Sequence, residues 1–239
     1  MHTAARTAIA TLAFAVIHSA LATRQAKRAA ASLLGAERAA AAYRVFYVAQ
    51  GLLSFGALAA YCASLPTRTV YRIRGPGALL MRAGQAAGAL QLLSGLREIG
   101  FRRWAGIDRL QAWRRGLALP AAPAAQGPEC GDDGMLLAGG PFRYSRHPLN
   151  FAGVPLFWLT PHMTTRRLAF SAVGSAYLMI GSLHEEARLR EAYGGAYDAW
   201  LRSGVPFFWP AMRPRAGSAE LKSTATPSLT PGRAVGTRR

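Results

Sequence analysis

Apolar residues in this chain form long uninterrupted runs, and charged residues fall between the runs. Residues 7–23 are apolar apart from His18 and hydroxyl side chains, and residues 45–65 contain no charged side chain. About 20 residues of α-helix, each rising ~1.5 Å, cross the ~30 Å hydrocarbon core of a bilayer. The two runs therefore predict membrane-spanning helices.

Three further runs are weaker candidates. Residues 77–96 are interrupted by Arg82 near one end, from where a long cationic side chain reaches the membrane interface. Residues 151–165 and 168–183 are short, are separated by the arginine pair 166–167, and predict a helical hairpin that crosses the membrane and returns. Because strand-like alternation is nearly absent, we predict an all-α fold, a polytopic membrane helix bundle of about five transmembrane helices with a C-terminal helical hairpin.

Small residues recur inside the weaker runs. Glycine is costly in a water-exposed helix but lets two helices approach closely in lipid. We therefore expect six glycines to lie at contacts between helices: Gly84, Gly88, Gly95, Gly153, Gly174 and Gly181.

The chain is strongly basic, with 29 Lys and Arg against 11 Asp and Glu and a net charge of +18. No helix-turn-helix, zinc-finger or stacking-sheet pattern accompanies this charge, so we do not expect nucleic-acid binding. With five spans, 22 of the basic residues lie on one side of the membrane and six on the other. By the positive-inside rule, the N-terminus lies outside and the C-terminus lies in the cytoplasm, as do the two polar clusters described below.

The first apolar run, 7–23, is similar to a secretory signal. It lacks a strongly basic start and further apolar runs follow, so we interpret it as a retained first span. The chain then divides into N-terminal transmembrane helices at 1–96, a cytoplasmic loop at 97–139, a hairpin core at 140–210 and a disordered basic tail at 211–239. The tail is rich in Ser, Thr, Pro and Arg and has no apolar periodicity, which is typical of disordered segments.

The first polar cluster, Arg146-His147-Pro148, directly precedes the fourth run. Pro148 suits the first position of a helix, where its missing N–H is not needed. Arg146 and His147 would then lie at a helix N-terminus, beside unpaired amide donors that favour carboxylate or phosphate groups. The alternative is that both cations only anchor the span among lipid headgroups.

The second cluster is the carboxylate pair Glu185-Glu186, which follows the fifth run. If the two hairpin helices are antiparallel, their outer ends, His147 and Glu185, meet on the same cytoplasmic face. A cationic turn opposite paired carboxylates would form a polar mouth suited to a charged, zwitterionic cosubstrate. The alternative is an Arg–Glu ion pair that only fixes the hairpin. A separate histidine in the first span, His18, is expected to donate a hydrogen bond to another helix and not to bind a ligand.

Taken together, the two motifs resemble those of integral-membrane methyltransferases of the isoprenylcysteine carboxyl methyltransferase type. The resemblance covers about residues 134–210 and rests on GPFRYSRHP at 140–148, EEARL at 185–189, Tyr193-Gly194, Tyr197, Val205-Pro206 and Pro210. The N-terminal spans, with Ile-His-Ser-Ala at 17–20, look like the bacterial branch that includes methanethiol S-methyltransferases and nitrite-reduction-associated membrane proteins.

This resemblance implies an S-adenosylmethionine pocket on the cytoplasmic face of an integral protein of the bacterial cytoplasmic membrane. It assigns nine residues to the cofactor: Gly134, Met135, Leu136, Leu137, Phe142, His147, Pro148, Leu149 and Asn150. Glu185 would face the acceptor, with Glu186 and Arg146 supporting the polar network as the other catalytic residues. The implied reaction needs no metal and transfers a methyl group to a small or lipophilic acceptor, which is a thiol, a carboxylate or a lipid.

Two departures from the family pattern narrow the acceptor. Asn150 stands where the family commonly has Tyr, and Gly181 stands where the prenylcysteine enzymes have Arg. The missing arginine argues against a prenylated-protein substrate. Two other functions remain open on the sequence: an NADPH-dependent membrane oxidoreductase of the sterol-reductase type, which has a similar Arg-His-Pro turn, and a non-catalytic membrane scaffold.

Overall fold

The computed structural model describes residues 2–123, 126–128, 130–131, 135–136 and 138–215. Most of these residues are helical, in agreement with the predicted class. The α-helices are α1 (Thr3–Ala22), α2 (Arg24–Leu34), α3 (Ala36–Ser64), α4 (Gly75–Ile99), α5 (Phe101–Ala105), α6 (Ile107–Arg114), α7 (Pro148–Trp158), α8 (Thr165–Tyr193) and α9 (Gly195–Arg202). A short 3₁₀ helix, Gly140–Arg143, precedes α7, and the strands are β1 (Thr69–Arg72) and β2 (His162–Thr164).

Five of the helices, α1, α3, α4, α7 and α8, form a bundle in which the chain alternates in direction. At one end, Thr3 at the start of α1 donates a 2.7 Å hydrogen bond to the Pro66 carbonyl just beyond α3. At the other end, Tyr43 near the start of α3 donates to the Leu21 carbonyl near the end of α1, also over 2.7 Å. We call the first the strand end, because it carries β1 and β2, and the second the RHP end, because it carries Arg146-His147-Pro148.

Two of the described helices, α1 and α3, are long and apolar enough to cross a membrane. Their large apolar side chains point outward, as do those of α4: Leu53 is 76% exposed and Leu80 is 75% exposed. An apolar surface of this extent is rare on a protein surrounded by water. Of the five predicted spans, these two are the candidates that the described helices support. Helix α7 has only 11 residues and on its own reaches only about 16 Å.

Glycine contacts hold the inner helices together. A Cβ on Gly88 of α4 would lie 2.7 Å from Pro155 Cγ and 3.2 Å from the Ala152 carbonyl oxygen, both on α7. A Cβ at four other predicted glycines would also meet close neighbours: Gly84 the side chain of Leu159 just after α7, Gly95 that of Leu149, Gly153 those of Leu178 and Phe157, and Gly174 that of Phe157. Gly181 is the exception, because a Cβ there would meet nothing within 4 Å.

The hairpin turns earlier than the sequence pattern indicated. It turns at residues 159–164, where β2 pairs antiparallel with β1, so the purely α-helical prediction is wrong at the strand end. The arginine pair predicted to separate the two runs lies instead in the first turn of α8. Arg166 reaches three carbonyl groups at the end of α3, those of Cys62, Ala63 and Leu65, over 3.2, 2.7 and 3.0 Å. These bonds satisfy carbonyls that a helix end leaves without partners.

At the RHP end a small core fixes the position of the turn. The core contains Phe142, Leu189, Tyr197, Trp200 and Val205, each at most 2% exposed. It joins the 3₁₀ helix, the last turns of α8, α9 and the segment after α9. Residues 97–139, predicted as a loop, contain the short helices α5 and α6, and the predicted tail lies outside the described residues from position 216 onward.

Candidate functional site

The Arg146–Pro148 turn is held from behind by the segment that follows α9. The Arg146 backbone N–H donates to the Pro206 carbonyl and its guanidinium Nη1 to the Val205 carbonyl, each over 2.9 Å. Ser145 Oγ donates to the Phe208 carbonyl, also over 2.9 Å, and accepts the His147 N–H over 3.2 Å. These bonds fix the backbone of the turn, so its side chains project from a rigid support.

Helix α8 extends beyond its apolar part and presents Glu185 and Glu186 to this turn. Arg146 Nε donates to Glu186 Oε1 over 2.6 Å. His147 lies between the two carboxylates, with Nδ1 3.2 Å from Glu185 Oε2 and Nε2 3.4 Å from Glu186 Oε1. The expected meeting of the two outer hairpin ends is therefore confirmed, and we call these four residues the RHP–Glu cluster.

The cluster is largely excluded from solvent. The His147 side chain is 1% exposed, and those of Glu185, Glu186 and Arg146 are 13%, 14% and 15% exposed. Buried ionised groups need partners, and here two cations are matched by two carboxylates. The idea that Arg146 and His147 only anchor the span among headgroups does not fit this burial.

Hydrogen bonds rather than burial decide the pKa values in the cluster. Burial alone would lower the pKa of His147, but its hydrogen bonds with Glu185 and Glu186 outweigh it and raise that pKa above 6.5. Burial would raise the pKa of Glu186, but hydrogen bonds from His147 and Arg146 lower it to about 2. Burial also raises the pKa of the nearby Tyr197 hydroxyl. His147 is therefore inclined to carry a proton, and Glu186 stays ionised.

Glu185 connects the cluster to a large cavity. Its Oε1 accepts the Gln126 backbone N–H over 2.6 Å, and its Oε2 lies 3.4 Å from Asn150 Nδ2, which also donates to Ser182 Oγ over 2.9 Å. Both Glu185 and Asn150 line a cavity of about 700 Å³ between α1, α2, α3, α7, α8 and the segment around Gln126. Cavities of ~300–1,000 Å³ are typical of small-molecule sites.

The cavity has two chemically different parts. Its RHP end carries three cations, Lys27, Arg44 and Arg188. Partial burial, followed by the charges of Arg188 and Arg44, lowers the pKa of Lys27, so this wall is strongly electropositive. The deeper part is aromatic and is lined by Phe14, Phe55, Phe157, Phe170 and Tyr177. A ligand with a carboxylate or another anionic group at one end and an apolar body at the other matches this division.

The residues predicted to bind the cofactor fall into three groups. Asn150 lines the cavity directly, while His147 and Pro148 lie behind it in the turn. Leu136 and Phe142 are 1% and 0% exposed in the core, and Leu149 packs against that core, so none of these three lines the cavity. Met135 accepts a backbone hydrogen bond from Gly131 over 2.8 Å, and Gly134 and Leu137 lie outside the described residues.

Several cavity residues were not singled out from the sequence. Ser182, the buried partner of Asn150 behind the cavity wall, was also missed; it precedes Glu185 by three residues, a spacing that places two side chains on one helix face. Lys27 and Arg44 were counted only as membrane-flanking charge. Tyr47 carried no sequence signal, because a tyrosine in an apolar run is typical of an ordinary helix contact.

Part of the sequence is similar to curated proteins that are named methanethiol S-methyltransferase. The chain is 32% identical over 79 residues to the methanethiol S-methyltransferase of Pseudomonas deceptionensis. It is 35% identical over 69 residues to that of Crocosphaera subtropica and 32% identical over 82 residues to methanethiol S-methyltransferase 2 of Bradyrhizobium diazoefficiens. These matches cover 33%, 29% and 34% of this chain, but only 30%, 27% and 31% of the relatives.

No family model matches the chain, and no solved structure matches it either. The similarity therefore rests on sequence and covers about a third of each protein. Within that extent, the chain is similar to bacterial methanethiol S-methyltransferases, which agrees with the family resemblance carried by its motifs.

Proposed function

We propose that this protein is an S-adenosylmethionine-dependent methyltransferase embedded in the membrane. One observation carries the proposal: the RHP–Glu cluster adjoins an amphipathic cavity of about 700 Å³ through Glu185. The names of the relatives support methyl transfer, and the cavity supplies a place for it.

The charges on the cavity fit the proposed methyl donor. S-adenosylmethionine carries a carboxylate, an ammonium group and a positively charged sulfonium. Lys27 and Arg188 at the RHP end can bind the carboxylate, and the Glu185 carboxylate can attract the ammonium or sulfonium. Aromatic faces in the deeper part of the cavity attract cations as well. When bound, this cosubstrate supplies an activated methyl group, so no metal is required.

The protein's own residues would hold the two reactants in place, exclude water from them and set the charge around them. Glu185 cannot rotate freely, because the Gln126 N–H, His147 and Asn150 all contact its two oxygens. Glu186 and Arg146 form an ion pair beside it, and Glu185, held by these three contacts, presents its charge at the cavity wall. Alignment of two reactants in a site closed to water contributes much of the acceleration of group transfer.

The membrane setting follows from the outward apolar surface and the charge distribution. We propose five spans, with α4, α7 and α8 completing the bundle around α1 and α3, and with the RHP end in the cytoplasm. Arg68, Arg72 and Arg74 lie at the strand end, whereas the larger part of the basic residues lies at the RHP end. The positive-inside rule favours this orientation.

Binding of S-adenosylmethionine to the purified protein in detergent, measured by calorimetry, tests this proposal. We expect one site, together with transfer of a labelled methyl group to a thiol such as methanethiol, the compound in the relatives' name. Binding of NADPH in place of S-adenosylmethionine would replace the proposal with an oxidoreductase. Binding of neither compound would leave a scaffold protein.

A further inference from the structure

A histidine–tyrosine pair lies on the same cavity as Glu185, on the opposite wall. His18 is one turn from the end of α1, and Tyr47 belongs to α3. Tyr47 Oη lies 2.7 Å from His18 Nε2, so His18 does contact another helix, and which of the two groups donates depends on the tautomer of the imidazole. The two rings stack with centroids 4.5 Å apart, and Phe14 stacks on the other face of His18 at 5.5 Å. Both His18 and Tyr47 line the cavity.

The surroundings of His18 favour one arrangement of its protons. Among the described residues, Nδ1 is buried with no hydrogen-bond partner, and so is Oε1 of Gln50, with which His18 interacts. A proton on Nδ1 would make this nitrogen a donor, and an amide oxygen is an acceptor, so this tautomer suits the interaction between the two side chains. Nε2 of a neutral imidazole would then be the acceptor, and the Tyr47 hydroxyl would donate to it. The lone pairs on the Tyr47 oxygen remain available to a ligand in the cavity.

The other cavity groups are poorly suited to accept a proton. Glu185 already contacts three donors, and Lys27, Arg44 and Arg188 are cations. A second histidine, His184, also lines the cavity, but its side chain is exposed to solvent at the RHP end of the protein. His18 is thus the enclosed nitrogen base among the described lining residues.

We infer that His18 and Tyr47 together act as the base that removes the proton from a thiol substrate. The inference rests on the proposed function and deepens it. A carboxylate acceptor would enter already ionised and would need no base, whereas an alkyl thiol is mostly protonated at neutral pH and reacts as the thiolate. A base in the cavity wall therefore assists methyl transfer only when the substrate that receives the methyl group enters in its protonated form.

The proton transfer can be written with every atom accounted for. The acceptor S–H bond breaks and its proton moves to the Tyr47 oxygen, while the Tyr47 hydroxyl proton moves to His18 Nε2. The electron pair left on the acceptor sulfur forms the bond to the donor's methyl carbon, and the donor's own sulfur keeps the electrons of the bond that breaks. His18 holds the proton as imidazolium until it leaves to water. The nearby guanidinium of Arg44, 5.9 Å from the Tyr47 ring, favours negative charge during this transfer.

Two thiol probes separate a proton acceptor from a structural histidine. Butanethiol is mostly protonated at neutral pH, and 4-nitrothiophenol is already ionised. For His18→Gln we expect kcat/KM with butanethiol to fall on the order of 100-fold or more and kcat/KM with 4-nitrothiophenol to fall less than about 10-fold. Tyr47→Phe should show the same selective loss, while His162→Gln, at the strand end, should match the wild type with both probes.

A second readout does not depend on turnover. Binding of 4-nitrothiophenolate to the wild type in the presence of S-adenosylhomocysteine should be accompanied by proton uptake, because the bound anion favours the imidazolium of His18. Calorimetry in buffers of different ionisation enthalpy measures this uptake, and His18→Gln should lose most of it. Equal loss with both probes would show that His18 is structural and overturn the inference. Selective loss in His184→Gln instead would assign the base to His184 and overturn it too. An inactive wild type that binds no S-adenosylmethionine would instead refute the proposed function itself.

Discussion

The guanidinium of Arg146 and the carboxylate of Glu186 form a 2.6 Å ion pair in which both side chains are about 15% exposed. Arg146 lies in the turn before α7 and Glu186 lies on α8, 40 positions further along the chain. Removing one partner of a largely buried pair leaves the other charge uncompensated. This contact therefore fixes the geometry of the hairpin at the end where the candidate site lies.

We expect Glu186→Gln to lower the free energy of unfolding by roughly 3 kcal/mol, because Arg146 would remain buried with only the Val205 carbonyl and the substituted amide as acceptors. Thermal unfolding in detergent measures the change. Glu191→Gln is the matched control, since Glu191 pairs with Arg24 where both side chains are more than half exposed, and an exposed pair contributes little to stability. Equal effects of the two variants would contradict this account of the cluster.

The free energy of unfolding should fall at high pH because of His147 and at low pH because of Glu186. The raised pKa of His147 means that its contribution is complete below pH 6.5 and is lost as the pH rises through that pKa. The lowered pKa of Glu186 means that its contribution is complete above pH 4.5 and is lost as the pH falls toward 2. The melting temperature should be highest between pH 4.5 and 6.5. In His147→Gln the decline on the alkaline side should flatten, and an unchanged decline would show that another group causes it.

Glu185→Gln should weaken S-adenosylmethionine binding by about 10-fold or more, because charge-assisted hydrogen bonds contribute about 1.5–3 kcal/mol. The substituted NH₂ would also face one of the donors that now contact Glu185: the Gln126 N–H, His147 or Asn150. Calorimetric titration gives the affinity. Asp198→Asn is the control, since Asp198 is 48% exposed and pairs with Arg190 away from the cavity. Binding unchanged in Glu185→Gln would remove Glu185 from the proposed site.

Gly181→Leu should fill the cavity without disturbing α8. An added Cβ at Gly181 meets nothing within 4 Å, and Gly181 lines the cavity beside Glu185. We expect KM for the acceptor to rise at least about 10-fold, with an unchanged or higher melting temperature because glycine inside a helix costs ~1 kcal/mol relative to better helix formers. Gly56→Leu is the control: Gly56 lies on α3 and does not line the cavity, and a Cβ there also meets nothing within 4 Å. A similar loss of activity in both variants would argue against a ligand in the cavity.

The proposed orientation predicts which positions an external reagent reaches. In a chain whose Cys62 and Cys130 are replaced by Ala, Arg68→Cys at the strand end should react with a membrane-impermeant maleimide in intact cells. Arg28→Cys in α2, at the RHP end, should react only after the cells are opened. Labelling with the opposite pattern would invert the orientation and place the candidate site outside the cytoplasm.

The sequence by itself determined the helical class and the two long apolar helices, because runs of that length and composition have few other stable arrangements. It also indicated that Arg146-His147 and Glu185-Glu186 would meet, since an antiparallel hairpin brings its outer ends together. Helix packing through glycine was likewise predictable, because five of the six glycines touch a neighbouring helix.

The tertiary structure alone decided how those groups are used. Whether His147 faces lipid headgroups or two carboxylates depends on how far α8 extends and on the backbone bonds from residues 205–208, and neither is a local property of the chain. Gly181 opens onto a cavity instead of a helix, because no neighbouring side chain fills that space. His18 and Tyr47 share that cavity with Glu185 only because α1, α3 and α8 pack around it, and contacts between distant segments leave no periodic trace in a sequence.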